Sequence, residues 1–196
     1  GYPQLTTDSQ AFLGNTQPKW KAGLSNSFRY KDFTFNFTFE GQYGGKVYSL
    51  THSILSYSGK LTNTLKGRYD GLVGEGVMQN EKGEWVKNNV VVDNIQTYYE
   101  LMYQRENTEA NLLKTSFIKL REARIAYKLP DSWLKKTKLF QHATVSVYGS
   151  NLFTITNYPG FDPEINTLAG AEIQAGFEIA QLPGTRSYGF GISFGL

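Results

Sequence analysis

The sequence predicts an all-β chain, an antiparallel transmembrane β-barrel segment of about five strands with long loops on one side. Three observations predict it. Residues 33 to 39 alternate strictly between phenylalanine and polar side chains. Aromatic residues make up 15% of the chain, with 20 glycines and only 2 methionines, a balance that favours strands over helices. Apolar runs are only a few residues long, far short of the ~18 to 20 a spanning helix needs, whereas strands alternating between lipid and lumen average to a polar-looking sequence.

The first strand is expected at 19–29, where Trp20, Ala22, Leu24 and Phe28 face one way and Lys19, Lys21, Ser25, Ser27 and Arg29 the other, with Asn26 breaking the apolar row. Tyr30-Lys31-Asp32 leaves room only for a tight hairpin into a second strand at 32–44, in which Phe33, Phe35, Phe37 and Phe39 oppose Thr34, Asn36, Thr38 and Glu40. Residues 45–116 exceed any ordinary loop and predict a folded excursion, with a helical piece from Asn94 to Arg105 carrying Ile95, Tyr98, Tyr99 and Met102 on one side. In the third strand, 117–129, Ile125, Tyr127 and Leu129 share a face. Ile118 and Leu120 have the opposite parity, which implies a bulge near Arg121 and Glu122 or a strand top outside the membrane. The fourth strand, 142–153, alternates Ala143, Val145, Val147 and Gly149 with Thr144, Ser146, Tyr148 and Ser150. After a second long loop, 154–185, the strand at 186–196 alternates Tyr188, Phe190, Ile192, Phe194 and Leu196 with small residues, as a barrel-closing strand would.

If that last strand runs inward, the short joins at Lys31 and 130–141 fall on the periplasmic side and both long loops fall outside, the asymmetry of outer-membrane barrels. Phe33, Phe35, Phe37, Phe39, Phe190, Ile192 and Phe194 are then expected to face lipid. Tyr30, Phe33, Tyr127 and Phe194 fall near the periplasmic rim as an interfacial belt, and Thr34, Asn36, Thr38, Glu40, Ser146 and Tyr148 line the lumen. Tyr48, Trp85, Tyr98, Tyr99, Tyr158 and Phe161, all in the external loops, are candidates for substrate contact by stacking, with packing inside the loops as the plainer alternative.

Catalytic chemistry finds no foothold. There is no cysteine, and HExxH, GxSxG and GxxxxGK[ST] are all absent. His52 and His142 have no partner at metal-binding spacing and read as loop or strand-end polar residues. Gly71, Gly74 and Gly76 lack Rossmann spacing and read as a turn. Asp162 and Glu164 sit among Pro159, Gly160 and Pro163, which describes rigid turns with side-chain to backbone bonds rather than a calcium site. No catalytic residue, metal or cofactor is therefore expected, and the chain is read as no enzyme. The net charge of +3 is dispersed, with Lys135, Lys136 and Lys138 as the densest cluster, so no nucleic-acid partner is expected. Gly1-Tyr2-Pro3-Gln4-Leu5 has no basic or apolar signal region, and a piece of a longer chain is expected.

Several ordered motifs go beyond alternation. Gly14-Asn15-Thr16-Gln17-Pro18-Lys19-Trp20 and Gly23-Leu24-Ser25-Asn26-Ser27-Phe28-Arg29-Tyr30-Lys31-Asp32-Phe33 come first. Ser116-Phe117-Ile118-Lys119-Leu120-Arg121-Glu122 follows, with Tyr127 and Leu129-Pro130. Asn151-Leu152-Phe153 then precedes Tyr158-Pro159-Gly160-Phe161-Asp162-Pro163-Glu164, and Pro183-Gly184-Thr185-Arg186-Ser187-Tyr188-Gly189-Phe190-Gly191 closes the series. From about Gly14 onward the chain resembles the late, C-terminal barrel of SusC/RagA-family TonB-dependent outer-membrane transporters. The resemblance implies a barrel of about 22 strands around a plug. It also implies import of an oligosaccharide or peptide, a SusD-like surface lipoprotein as partner, and energy from the TonB complex through parts of the protein outside these residues. Two other readings are a SusC-like barrel with a structural or assembly role and no transport, and a soluble glycan-binding β-sandwich that buries the Phe33 to Phe39 face between sheets.

Overall fold

The computed structural model describes residues 1–6, 11–134, 139–164, 167–169 and 172–195. The lysine cluster at Lys135, Lys136 and Lys138 and the expected strand end at Leu196 lie outside the described residues. In chain order the elements are β1 (Pro18–Tyr30), β2 (Phe33–Gly44), β3 (Lys46–Ser49), α1 (Leu50–Tyr57), β4 (Val77–Gln79), β5 (Trp85–Lys87), α2 (Ile95–Tyr103), β6 (Leu112–Lys114), β7 (Phe117–Lys128), α3 (Asp131–Leu134), β8 (His142–Thr156), β9 (Thr167–Ala169), β10 (Glu172–Gln174), β11 (Phe177–Glu178) and β12 (Ser187–Gly195). They form two compact units, a sheet unit of residues 17–45, 114–165 and 182–196 and a loop unit of residues 1–16, 46–113 and 166–181.

The sheet unit is an antiparallel meander in the order β1-β2-β7-β8-β12. A two-residue turn at Lys31-Asp32 links β1 to β2, with Lys31 at a φ of 53° and Tyr30 paired with Phe33. Directly paired residues share a face, so the register decides which side chains lie together. Leu24 pairs with Phe39, Phe28 with Phe35, Phe35 with Ile125, Ile125 with Val147 and Val147 with Phe190. One face is thus an uninterrupted apolar row across all five strands. The opposite face carries Ser25, Thr38, Glu122, Ser150 and Ser187 in a matching row.

The parity reversal within β7 is a bulge. Thr38 pairs with Glu122 and Phe39 with Leu120, so Arg121 is skipped. On the other side Glu122 pairs with Ser150 and Leu120 with Phe153, leaving Asn151 and Leu152 opposite Arg121, and Asn151 takes a φ of 52°. The extra residue at Arg121 returns Leu120 and Ile118 to the apolar face, opposite Phe153 and Ile155, which keep the parity of Val145 and Val147. On the polar face of β12, glycines make room for rings. A Cβ on Gly189 would lie 2.2 Å from the Tyr148 ring, and one on Gly195 2.1 Å from that of His142.

The loop unit is built from short pieces. β11, β3 and β6 form a three-stranded sheet, β4 and β5 a hairpin, and α1 packs against α2. Helices of 8 and 9 residues are too short to persist alone, so caps and packing hold them. Ser49 Oγ accepts the His52 N–H at 3.0 Å and Asn94 Oδ1 that of Thr97 at 3.1 Å, each satisfying an orphan amide of the first turn. Val47, Leu72, Val92 and Tyr99 are buried and form the unit's apolar centre.

Candidate functional site

The polar face of the sheet carries a dense charged cluster. Lys119, on β7, is 4% exposed, and its Nζ donates to Asp162 Oδ1 at 2.6 Å and also to Glu164. Arg121, placed at the bulge, donates from Nε to Glu40 Oε2 at 2.6 Å, from Nη2 to Glu164, and from Nη1 to Asn151 Oδ1 at 3.4 Å. The Phe117 ring lies beneath both cations, 5.1 Å from Lys119 Nζ and 5.9 Å from the Arg121 guanidinium. Asp162 also accepts the backbone N–H of Glu164 at 3.1 Å and of Gly184 at 3.4 Å. Arg186 Nε reaches the Asn151 carbonyl at 3.2 Å, and Asn151 Nδ2 the Thr185 carbonyl at 3.0 Å.

Segments scattered over the sequence, 117–122, 151–153, 158–164 and 183–186, therefore meet here. Burial pushes the Asp162 carboxyl up, but the Lys119 ammonium, the two backbone amides and the Lys119 charge outweigh it and hold the group below the usual carboxylate range. The side-chain to backbone bonds expected of Asp162 are present, to the amides of Glu164 and Gly184, and beyond that reading both carboxylates are counter-ions of Lys119 and Arg121. Among the described residues no group of three or more acidic or histidine side chains is placed to hold a metal.

The aromatic candidates separate. Trp85, Tyr98 and Tyr99 line one cavity of about 830 Å³ in the loop unit, together with Lys66, Glu75, Met78, Asn88 and residues 1–6. Trp85 stands 69% exposed, while Tyr99 is buried and donates its hydroxyl to the Lys66 carbonyl at 2.7 Å. Burial raises the Tyr98 and Tyr99 hydroxyls above the ordinary tyrosine value. Tyr48 is not in that cavity. Its hydroxyl donates to the Arg105 carbonyl at 2.9 Å and its ring lies 5.9 Å from Phe177. In the sheet unit, Tyr158 is buried and Phe161 is 76% exposed.

His52 is not a loop residue but sits in the first turn of α1. Its Nδ1 lies 3.1 Å from Asn111 Oδ1, and Asn111, fully buried, spends its Nδ2 on the carbonyls of Gln104 at 3.1 Å and Asn107 at 3.0 Å. The Asn111 oxygen is left to accept, so Nδ1 is the donor of that pair, and Nε2 lies 3.3 Å from Asn63 Nδ2. Ser56, 3.5 Å from Nε2, is fully buried and accepts from Asn63. Serine, histidine and asparagine here knot a helix to a loop.

The relatives agree with the sheet. No family model matches the sequence. The chain is 25% identical over 197 residues to TonB-dependent receptor P3 of Formosa agariphila, an alignment taking in 98% of this chain and 18% of that protein. It is likewise 25% identical over 182 residues to TonB-dependent receptor P39 of the same organism, covering 90% of this chain and 16% of the relative. Among solved structures, the RagAB peptide transporter superposes with a TM-score of 0.65 at 21% identity, over 97% of this chain and 19% of the other. The RagAB peptide importer in its open-open state gives 0.64 at 20% identity, over 98% and 19%. The chain is similar in sequence to TonB-dependent receptors and shares its fold with the matching part of RagAB. It spans less than a fifth of these relatives' length, 16 to 18% for the two receptors.

Proposed function

We propose that these residues form wall and external loops of an outer-membrane, TonB-dependent importer of oligosaccharides or peptides. A SusD-like lipoprotein lies over the loops, and the TonB complex acts through parts of the protein outside this chain. No residue here is catalytic. The observation that carries the reading is the uncovered apolar face. Leu24, Phe28, Phe33, Ile125, Val147, Phe190, Ile192 and Phe194 are each about half exposed, on one continuous surface. Water-soluble monomers rarely leave more than a few hundred Å² of contiguous apolar surface bare, whereas a barrel wall presents such a surface to lipid. A soluble sandwich would need that face buried between sheets, and here it is bare. In this reading β1 and β12 pair with further strands of a closed barrel, the polar face lines the lumen, 45–116 and 154–185 lie outside the cell, and Lys31 and 130–141 face the periplasm.

Single cysteines test the orientation, since this chain has none of its own. Tyr69 is fully exposed and Trp85 largely so. Cysteines at those two positions of the full-length protein should react with a membrane-impermeant maleimide on intact cells. A cysteine at Lys31 should react only after the outer membrane is opened. Labelling of Lys31→Cys on intact cells would overturn the orientation, and a full-length protein that stays soluble and monomeric without detergent would overturn the barrel.

A further inference from the structure

We propose that β11 is a releasable strap, locked onto β3 and the start of α1 by the carboxylate of Glu178. Its pattern is inverted. Phe177 and Ile179 are 41% and 40% exposed, while Glu178 between them is 4% exposed, so the charged side chain points in and the apolar ones out. A segment held by the hydrophobic effect would show the reverse.

What holds the strap is a handful of polar bonds. Its parallel ladder has two pairs, Phe177 with Tyr48 and Glu178 with Ser49. The Tyr48 N–H donates to the Gly176 carbonyl at 2.9 Å, and the Ala180 N–H to Thr51 Oγ1 at 2.9 Å. The Glu178 carboxylate accepts from Ser49 Oγ and, at 2.5 Å, from Thr51 Oγ1. Ser49 is also the N-cap of α1, so the carboxylate closes onto the end of the helix where the dipole favours negative charge. Among the described residues no lysine or arginine forms an ion pair with it.

Both ends of the strap are built to swing. Gly176 has a φ of 87° and Ala180 one of 53°, a left-handed conformation that a residue with a Cβ holds only while its surroundings impose it. Releasing the strap relieves Ala180, returns the carboxylate to water and frees two hydroxyls, at the loss of the Phe177–Tyr48 ring contact and of the covered sides of Phe177 and Ile179. Opening is therefore cheap beside unfolding the unit, and Glu178 sets its equilibrium.

Hydrogen exchange followed by mass spectrometry on the full-length protein in detergent micelles tests this. In Glu178→Gln and, separately, Thr51→Val, exchange in peptides spanning 46–52 and 175–181 should quicken roughly tenfold or more. Peptides from β7 should keep their rates. The valine variant leaves the Ser49 cap in place, so it decides the matter even if Glu178→Gln folds poorly. Unchanged exchange at 175–181 in the variants that fold would overturn the lock, and equal quickening in β7 would show Glu178 to be a general requirement of the fold instead.

Discussion

The two units bury carboxylates by different means, and the difference separates a fixed part of the molecule from a movable one. In the sheet unit Asp162 and Glu164 meet two cations, backbone amides and an aromatic floor. In the loop unit Glu178 meets two hydroxyls and a helix start. Charge-assisted contacts in a part-buried network hold strongly, but removing one partner strands the other charge. Hydroxyl contacts to a lone carboxylate can be exchanged for water at small cost. The 158–164 turn is thus pinned to the sheet, while β11 can part from its unit.

The comparison breaks hardest at Lys119. Lys119→Ala leaves Asp162 and half of Glu164 without a counter-ion and should destabilise the full-length protein by about 3 to 5 kcal/mol, read from urea unfolding in lipid vesicles. A loss no larger than that for an exposed lysine would mean the cluster is decoration. On the apolar side of the same sheet, Phe35→Arg should cost about 2 to 4 kcal/mol in that assay and Thr34→Arg clearly less, because in the proposed barrel only Phe35 faces the bilayer. Equal costs would undo the assigned facing.

Acid sharpens the contrast further. The Asp162 carboxyl lies below the ordinary value of about 3.9, so its contribution is complete above that pH and is lost as pH falls through the depressed folded value. Exchange protection of 157–164 should stay level down to about pH 4 and drop below it, and Asp162→Asn should abolish the drop. Smallest of all is the exposed pair of Lys128 and Asp131, 3.3 Å apart with both side chains largely in solvent. Asp131→Asn should change the unfolding free energy in the same urea assay by under about 1 kcal/mol.

What the sequence revealed tracks the length of each element. Strands of 9 to 15 residues show period two plainly, and the sequence reading at 32–44 meets a strand at Phe33–Gly44. The helix at Ile95–Tyr103 was legible from the Asn94 cap and the spacing of Ile95, Tyr98, Tyr99 and Met102. β3, β6 and β11, with two to four residues, are too short for any period to appear, and α1, with eight, spans only about two turns. The bulge stayed open in the sequence because parity alone cannot tell an extra residue from a strand top. Asn151 in the left-handed region, opposite Arg121, closes that question.

The charged cluster escaped the sequence reading for a different reason. Lys119 and Arg121 are two apart and so are Asp162 and Glu164, but nothing local says that a turn more than 40 residues on folds back over that strand. Glu178 escaped because a lone acid between Phe177 and Ile179 reads as the outward residue, and the structure inverts it.

The central claim, that the phenylalanine face of β2 meets lipid while its opposite face lines a wet interior, is tested most directly by spin labels. Single nitroxide-labelled cysteines would be placed in turn at 33 to 40 of the full-length protein in bilayers. Collision with oxygen, which concentrates in lipid, should peak at 35, 37 and 39, and collision with a water-soluble nickel chelate at 34, 36 and 38. Loss of the alternation, or the opposite phase, would contradict the account.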